Sequence, residues 1–362
     1  MLRGSGVGDV GASTPAPFRL PTPDQRLPHR TQLRTSTQSL GRRSSSSRWY
    51  HISTTPGPRS ATPAQRTIRT LRLVFFGTPQ FAVPSLEKLA REHDIALVVA
   101  QPDKPAGRGM KMQAPAVAVK ARELGLPLAQ PQKIRSEEFL NSIAALSPDA
   151  GIVVAYGKIL PAALLAIPTR GFLNVHGSIL PQYRGAAPIQ RAIEHGETTT
   201  GVTIMRVDEQ LDHGPMLAIE KTEIGPDERT PSVAARLSLI GAEALGRVLA
   251  SWPAETPQDD AAATIAPKIE KSESAIQWSQ TSASIYNKFR AFDPWPGVFA
   301  GELKLIEMAP ATGSGGPGTI LSTGADGVVV ATGDGALRLI TVQRPGKGPV
   351  AAAELLRGQS KL

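Results

Sequence analysis

From Leu71 onward the chain alternates short apolar runs with helical patterns, and this alternation restricts the fold more than any other feature. Apolar runs rich in Val, Ile and Leu are typical of strands that are buried on both faces. Such strands, separated by helices, predict an α/β domain whose mostly parallel sheet is covered by helices on both faces. The predicted strands are 71–76, 95–100, 150–155, 171–175 and 202–207, and the clearest predicted helices are 114–125 and 232–250.

The order of these elements predicts a Rossmann-like sheet, in which ligands bind beyond the carboxyl ends of the strands. The first strand-to-helix turn is Gly77-Thr78-Pro79-Gln80-Phe81-Ala82. It stands where dinucleotide-binding proteins carry G-x-G-x-x-G, but Pro79 and Ala82 replace the second and third glycines. The backbone there cannot approach a pyrophosphate closely, so a nicotinamide oxidoreductase is disfavoured and a simple tight turn is the plainer interpretation.

The pattern changes after residue 251. Residues 252–264 contain Pro253, Pro257, Asp259 and Asp260, and this composition predicts a linker between a catalytic domain at 71–251 and a second domain at 265–362. The second domain contains short apolar runs separated by glycines, which predicts a small OB-like β-barrel. Its predicted strands are 303–308, 318–321, 328–331 and 337–342.

Residues 1–70 have a composition unlike the rest of the chain. They contain eleven arginines, no lysine and two acids, so they carry the whole net charge of +9. The balanced charge of the remainder gives no reason to treat it as a strongly basic nucleic-acid binder. An Arg- and Ser-rich, acid-poor segment with few apolar residues predicts a disordered mitochondrial transit peptide and a location in the mitochondrial matrix, although a tail without an address has the same composition.

Several classes of protein are excluded or disfavoured by residue content. The chain has no cysteine, which excludes a disulfide scaffold and thiolate zinc sites. Its histidines do not form a recognised ligand spacing, so we expect no metal. No apolar run approaches the ~20 residues of a membrane helix, so we expect no membrane partner.

A group of polar residues follows the predicted strands at the edge where a ligand is expected. Asn174 and His176 end the fourth predicted strand, and period two places them on the same side. Asp212 lies in the loop after the fifth strand. An amide, an imidazole and a carboxylate suit acyl transfer to an amine, because together they can stabilise an oxyanion and move a proton. From spacing alone, strand caps or satisfied buried groups remain open as alternatives.

These residues lie in a stretch that resembles the formyltransferase family, and the methionyl-tRNA formyltransferases in particular. The stretch reads Asn-Val-His-Gly-Ser-Ile-Leu-Pro at 174–181, followed by Tyr-Arg-Gly-Ala-Ala-Pro-Ile-Gln at 183–190. Further stretches match in the same order along the chain, namely 76–79, 101–109, 153–157, 200–205 and 290–296. The resemblance runs from about Leu71 to near the C-terminus, and this collinearity is more specific than any single motif.

The resemblance implies an enzyme that transfers the formyl group of 10-formyltetrahydrofolate to the α-amino group of methionyl initiator tRNA, here for mitochondrial translation. It implies no obligate protein partner. It assigns catalysis to Asn174, His176 and Asp212. It assigns the lining of the folate site to Ser178, Ile179, Leu180 and Pro181. It assigns the grip on the tRNA acceptor end to Lys104, Arg108 and Lys111, with Arg108 as the main contact. The C-terminal barrel is expected to bind the tRNA body.

Two residues depart from the family pattern Gly-Leu-Asp-x-Gly around Asp212. Gln210 replaces the first glycine, where glycine would permit a positive φ, and His213 follows Asp212 directly and is a rival partner for it. Two alternatives stay open: a formyltransferase or formyl-folate hydrolase with another acceptor, and a non-catalytic tRNA- or RNA-binding module with a degenerate domain. Phe289, Phe292 and Trp295 are expected to pack in the core or between domains.

Overall fold

The computed structural model describes residues 69–106 and 111–362. The described residues from Thr70 to Leu362 belong to one compact unit. All but the last two residues of the predicted transit peptide, and also Arg108, lie outside the described residues. Within the described ranges, no helix has both the length and the apolar character needed to cross a bilayer.

Strands and helices alternate through most of the chain. The strands are β1 (Arg72–Gly77), β2 (Asp94–Val99), β3 (Lys104–Ala106), β4 (Lys111–Gln113), β5 (Leu128–Ala129), β6 (Ala150–Val154), β7 (Phe172–His176), β8 (Arg184–Gly185), β9 (Thr199–Arg206), β10 (Met216–Glu223), β11 (Ile265–Ala266), β12 (Val298–Ala300), β13 (Leu303–Ala311), β14 (Ile320–Gly324), β15 (Gly327–Ala331), β16 (Ala336–Gln343) and β17 (Val350–Ala351). The helices are α1 (Val83–Glu92), α2 (Ala116–Glu123), α3 (Glu137–Ala145), α4 (Ala162–Leu165), α5 (Pro188–Glu194), α6 (Thr230–Ser251), α7 (Ser282–Ala291) and α8 (Ala352–Leu355). Short 3-10 helices span Gln80–Ala82, Asp260–Ala262 and Lys271–Ser274.

The first sheet is seven-stranded, with the order β10-β9-β7-β6-β1-β2-β5. β1 pairs in parallel with both β2 and β6, β2 with β5, and β6 with β7, which confirms the predicted mostly parallel sheet. β9 instead runs antiparallel to β7 and β10. Its direction could not be predicted, because an apolar run has the same composition whichever way it enters a sheet.

Alternation of side chains explains why both faces of this sheet are covered. In β1, Leu73 and Phe75 join one apolar cluster, whereas Val74 and Phe76 join a second cluster on the opposite face. All four side chains are completely buried. A strand that is apolar at every position must have a packed layer on each side, and helices provide both layers.

The longest helix, α6, packs closely against the strand that carries the polar group. A Cβ added at Gly241 would lie only 2.6 Å from Cγ1 of Val175 in β7. Glycine at this position lets the helix approach the sheet, so α6 fixes β7 from behind. The packing therefore positions the end of β7 without using any of its polar side chains.

The strand order reverses between β1 and β6, since the chain passes from β1 to β2 and β5 and then returns to the other side of β1. Thr78 follows β1 and donates its hydroxyl to the backbone oxygen of Tyr156, which follows β6, at 2.9 Å. In open α/β sheets, ligands bind in the crevice at this switch point. Here that crevice lies directly beside the end of β7, because β6 and β7 are neighbours.

The predicted small β domain near the C-terminus is confirmed as a six-stranded antiparallel sheet. Its order is β12-β13-β16-β15-β14, and β17 pairs with the carboxyl half of β16. α7 packs against α5 of the preceding region and buries Phe289 and Phe292. Trp295 does not pack as expected: it is 56% exposed, because the turn after α7 directs it away from the core.

Candidate active site

β7 delivers two polar side chains to the carboxyl edge of the sheet. Asn174 pairs with Val153 of β6 and with Met205 of β9, and His176 pairs with Thr203 of β9. A polar residue in the middle of a sheet is costly to bury unless it has a partner. Both side chains have one, as follows.

Asp212 reaches the end of β7 from the loop between β9 and β10. Its Oδ1 accepts a hydrogen bond from Nδ2 of Asn174 at 3.3 Å, and its Oδ2 lies 3.6 Å from Nδ1 of His176. The side chains of His176 and Asp212 are 6% and 16% exposed, so the pair is largely sheltered from water. The structure thus brings together the amide, the imidazole and the carboxylate that the sequence singled out.

His176 is oriented by a main-chain group rather than by Asp212. Its Nε2 lies 2.9 Å from the backbone oxygen of Tyr183. A carbonyl oxygen can only accept, so Nε2 carries a proton, and Nδ1 is the ring nitrogen that lies on the side of Asp212. Tyr183 has a φ of 60°, in the left-handed region, which directs its carbonyl group at the imidazole.

The phenol of Tyr183 secures this backbone position. It donates to Oε1 of Glu197 at 2.7 Å and lies 3.3 Å from Nδ1 of His195. Burial, aided by the Glu197 carboxylate, raises the pKa of Tyr183, so the hydroxyl remains a donor throughout the neutral range. The side chain therefore stabilises the strained conformation that its own carbonyl group requires.

The two unusual residues near Asp212 do not disturb it. Positive φ falls on Asp212 itself, at 46°, and not on Gln210, so the missing glycine has no steric consequence there. His213 turns away and lies 2.7 Å from Asp208 and 3.4 Å from Asp260 through its two ring nitrogens. Asp208, with a smaller contribution from Asp260, raises the pKa of His213. His213 is therefore not a competing partner for Asp212.

The segment predicted to line the folate site is only partly accessible. Ser178 is completely buried and donates its hydroxyl to the backbone oxygen of Gln182 at 2.6 Å. Leu180 is 2% exposed, and its N–H is donated to Thr203 at 3.1 Å. Ile179 and Pro181 are half-buried, so these two can contact a ligand through their side chains, and the other two shape the turn.

Two of the three cations predicted to grip tRNA, Lys104 and Lys111, lie on a short hairpin rather than a plain loop. β3 and β4 pair antiparallel, with Lys104 opposite Gln113 and Ala106 opposite Lys111. Lys104 and Lys111 are exposed. Arg108 follows β3 and precedes β4 in the sequence, and it lies outside the described residues. The root of the hairpin is fastened by Gln130, which donates to Asp103 at 2.7 Å.

Sequence reasoning missed a cavity of about 610 Å³ at the carboxyl ends of β5 and β6. It is lined by the apolar side chains of Ile134 and Ile159 and by the cations Lys133, Arg135 and Lys158. Ile159 is 71% exposed, which is unusual for a large apolar residue and leaves it available to a ligand. The signal in the sequence is weak, because these cations come from two loops that lie far apart along the chain.

A second cavity of about 610 Å³ lies near the start of α6 and is lined in part by Asp227, Arg229 and Asp293. None of the three polar residues at the end of β7 and in the Asp212 loop lines it. We therefore place the chemistry at the sheet edge and not in this cavity. Among the residues that the structure describes, no three His, Cys, Asp or Glu side chains are grouped to hold a metal ion.

Sequence reasoning also missed the main-chain and connector groups that hold Asp212. The backbone N–H of Gly185 donates to Oδ2 of Asp212 at 2.9 Å. Gln258, within the predicted linker, donates to the backbone oxygens of Asp212 at 2.9 Å and Gly214 at 2.8 Å. Partners separated by 27 to 46 residues leave no periodic signal in a sequence.

Comparisons with known proteins identify the family of the chain. Residues 71–249 match the formyl transferase family, and residues 268–360 match the formyl transferase C-terminal domain. The methionyl-tRNA formyltransferase of Sorangium cellulosum is 44% identical over 80% of this chain and 97% of its own length. A methionyl-tRNA formyltransferase of Thermus thermophilus is 43% identical over 80% of this chain and 96% of its own length.

A solved structure shows the same fold. The N-formyltransferase of Helicobacter canadensis, in complex with folinic acid and dTDP-3-aminofucose, superposes with a TM-score of 0.57 at 15% identity, covering 75% of this chain and 99% of that one. At this identity the likeness concerns the fold alone. With the sequence relatives, the matching domains and the site geometry taken together, the chain belongs to the methionyl-tRNA formyltransferase family.

Proposed function

We propose that this protein transfers a formyl group from 10-formyltetrahydrofolate to the α-amino group of methionyl initiator tRNA. The observation that carries the proposal is the convergence of Asn174, His176 and Asp212 at the carboxyl edge of the sheet. The co-substrate supplies a formyl carbon that is attached to nitrogen and is open to attack by an amine. The protein's part is to orient the two substrates, stabilise charge and move a proton.

Asn174 is placed to stabilise the charge that develops on the formyl oxygen. One hydrogen of its Nδ2 is directed to Asp212, and the second is free to be donated to an oxyanion. The carboxylate also fixes the amide, so the donor needs no reorganisation when the charge appears. Loss of one such donor typically lowers the rate about 100- to 1,000-fold.

Asp212 and His176 are placed to handle the proton of the attacking amine. A free α-amino group has a pKa of about 7.7–8.0, so a useful neutral fraction exists near neutral pH. Once the amine attacks, its proton is lost to Asp212, directly or through a water molecule, and can be returned to the departing nitrogen. His176, with Nε2 committed to Tyr183, contributes through Nδ1 on the side of Asp212.

The cavity at the ends of β5 and β6 fits a reduced folate. A folate joins an apolar aromatic body to a glutamate tail with two carboxylates. Ile159, which is largely exposed, offers an apolar surface, and Lys133, Arg135 and Lys158 offer positive charge. The volume of about 610 Å³ lies within the range of small-molecule sites. Ile179 and Pro181, on the next strand's loop, would complete the wall nearest the reacting carbon.

The β3–β4 hairpin supports a polynucleotide acceptor. Lys104 and Lys111 lie on its two strands, so both can contact phosphates while the amino acid enters the crevice. Arg108, which the sequence resemblance assigns to the same task, lies between them in the sequence. This hairpin favours tRNA over a small amine acceptor. The three polar groups at the sheet edge argue against a purely RNA-binding module, and the absence of the glycine fingerprint argues against a dehydrogenase.

The decisive experiment uses the purified chain with 10-formyltetrahydrofolate and methionyl-tRNA. We expect N-formylmethionine to be released from the tRNA after mild base hydrolysis. A matched reaction with a nucleotide-linked amino sugar as acceptor should give no formylated product. Formylation of the sugar but not of the methionyl-tRNA would overturn the proposed acceptor, and formate release without transfer would indicate a hydrolase.

Substitution in the cavity tests the folate assignment. Lys158→Ala should raise the KM for 10-formyltetrahydrofolate and leave the KM for methionyl-tRNA unchanged, because the lysine would pair with a folate carboxylate. Arg91→Ala is a suitable control, since Arg91 is exposed in the last turn of α1. This helix ends near the amino end of β2, away from the carboxyl ends of the strands. An equal effect of the two substitutions would remove the cavity from the folate site.

We propose in addition that residues 1–70 direct the protein to the mitochondrial matrix. The support is compositional: eleven arginines, many Ser and Thr residues and two acids. The match to the formyl transferase family begins only at residue 71. A fluorescent reporter fused to residues 1–70 should be imported by mitochondria, and the same fusion with its arginines changed to glutamine should not. A reporter that stays outside the mitochondria would refute a targeting role for residues 1–70.

A further inference from the structure

We propose that Gln258 is a positioning residue that holds Asp212 in its working conformation through main-chain hydrogen bonds. Gln258 lies outside both regions that match the formyl transferase family, which end at residue 249 and resume at residue 268. The inference rests on the proposed formyl transfer, because the rate of that reaction is its readout. It concerns a segment, residues 256–266, that we call the connector.

Both the nitrogen and the oxygen of the Gln258 amide form hydrogen bonds with residues around Asp212. Its Nε2 donates one hydrogen to the backbone oxygen of Asp212 at 2.9 Å and the other to that of Gly214 at 2.8 Å. Its Oε1 accepts from Nε of Arg184 at 3.0 Å. Gln258 is half-buried, whereas its neighbours in the connector from residue 256 to 260 are exposed.

One of the two carbonyl groups that Gln258 holds belongs to a residue in a strained conformation, Asp212, and the other belongs to Gly214, two residues further on. Asp212 has a φ of 46°, in the left-handed region that is unfavourable for residues other than glycine. Such a conformation persists only if neighbouring groups hold it. A side chain with two hydrogens at a fixed spacing can tie both carbonyl oxygens at once, and of the uncharged side chains only an amide offers this.

The connector also contacts the segment from Tyr183 to Gly185, whose backbone groups bind His176 and Asp212. Thr264 accepts the backbone N–H of Tyr183 at 2.8 Å, and β11 pairs in parallel with Arg184 and Gly185 of β8. Asp260 pairs with Arg184 at 2.7 Å. Tyr183 orients His176, and Gly185 donates to Asp212. The connector thus holds two loops in register, and Gln258 is its contact with the loop of Asp212.

The consequence for catalysis follows from how sharply rates depend on geometry. A displacement of about 1 Å in a reacting group can cost about 100-fold in rate. Loss of the Gln258 contacts frees the backbone of Asp212 and Gly214. The carboxylate then loses its alignment with Asn174 and His176, while the cavity and the hairpin that would bind the substrates keep their own contacts.

The test is Gln258→Met in the full chain, which keeps the length of the side chain and removes the amide. We expect kcat for methionyl-tRNA formylation to fall about 10- to 100-fold, with both KM values nearly unchanged. Gln258→Glu, which replaces the two donor hydrogens with an acceptor oxygen, should lower kcat at least as much. The matched control is Gln343→Met, because Gln343 makes a similar amide contact, to the backbone oxygen of Lys347, in the C-terminal sheet.

Each outcome decides the matter. Unchanged kcat in Gln258→Met would overturn the proposal, and so would raised KM values at constant kcat, since those would indicate a binding role. A fall in melting temperature much larger than that of Gln343→Met would show that the contact holds the fold rather than the carboxylate. If the unsubstituted chain itself transfers no formyl group, the proposed function fails, and this is seen before any variant is compared.

Discussion

Oδ2 of Asp212 accepts the backbone N–H of Gly185 at 2.9 Å. The other oxygen of the same carboxylate accepts from Asn174, so both are engaged and the charge is held in one orientation. Gly185 is suited to this contact because its φ is 120°, and a Cβ there would lie 2.7 Å from the backbone oxygen of Ala266. A donor with no side chain can lie between the Asp212 carboxylate and the connector.

This arrangement predicts the effect of Asp212→Asn. The new amide offers one acceptor oxygen to two donors, and its own hydrogens would face Gly185 or Asn174. It also cannot take the proton of the amine, so we expect the single-turnover rate of formyl transfer to fall by about 100-fold or more. Binding of methionyl-tRNA, measured by filter retention, should be nearly unchanged.

Glu209→Gln is the control for Asp212→Asn, since Glu209 is an exposed carboxylate in the same loop. It should leave both the rate and the binding unaltered. Turnover of Asp212→Asn close to that of the unsubstituted protein would refute a catalytic role for this carboxylate.

Tyr183→Phe tests whether the imidazole depends on the phenol of Tyr183. The substitution removes the hydrogen bond to Glu197, which should cost about 1 kcal/mol of stability in urea unfolding. It should also lower kcat, because the carbonyl group that orients His176 is then less firmly held. Tyr286→Phe removes a similar bond, to Asp227 at 2.8 Å, and should lose stability without losing rate. Equal losses of rate in both variants would contradict the assignment.

The hairpin cations are expected to act on tRNA alone. Lys104→Ala, Lys111→Ala and Arg108→Ala should each raise the KM for methionyl-tRNA and reduce the slope of log affinity against log salt by about 1. The KM for the folate should not move. Arg91→Ala, at the opposite edge of the sheet, should change neither quantity. If both KM values rise together in the hairpin variants, the segment is structural.

Glu228 should contribute to stability in a pH-dependent way. It accepts from Gly225 and Ser232 at 2.9 Å each and pairs with Arg236, which is the main reason that its pKa is lowered from 4.5 to about 2. A lowered pKa in the folded state means that the stabilisation is complete above pH 4.5 and is lost as the pH falls towards 2.

Glu228→Gln should therefore lower the free energy of unfolding at pH 7 by about 1.5–3 kcal/mol. Between pH 4.5 and 2 its stability should fall less steeply than that of the unsubstituted protein. Urea titrations across this window measure both effects. Glu302→Gln, at an exposed carboxylate, should leave the curve unchanged. Parallel curves for Glu228→Gln and the unsubstituted protein would count against the ion pair.

Much of the sheet could be predicted from apolar runs, because burial on both faces leaves a continuous signal. The predicted strand at 95–100 corresponds to Asp94–Val99, and the predicted helix at 232–250 corresponds to Thr230–Ser251. The hairpin of Lys104 and Lys111 was less visible, since two three-residue strands have no periodicity to detect. Trp295 was expected to pack in the core or between domains, and the structure leaves it exposed.

Only the part of the candidate site that is made of side chains could be predicted from the sequence. Asn174 and His176 share a strand, so period two is enough to place them together. The carbonyl group of Tyr183 and the N–H of Gly185 belong to the backbone, and any residue type would supply them. Gln258 reaches Asp212 across 46 residues, and nothing in its own neighbourhood distinguishes it from a polar residue in a linker.

The connector bears on how the two halves of this enzyme can be exchanged. In a chimaera joined near residue 252, where the composition changes, Gln258 and strand β11 would both come from the other parent protein. A junction after Ala266 would keep Gln258, Thr264 and β11 together with the loops that they contact. The unit that can be transferred as a working transferase therefore extends beyond α6 to the end of the connector.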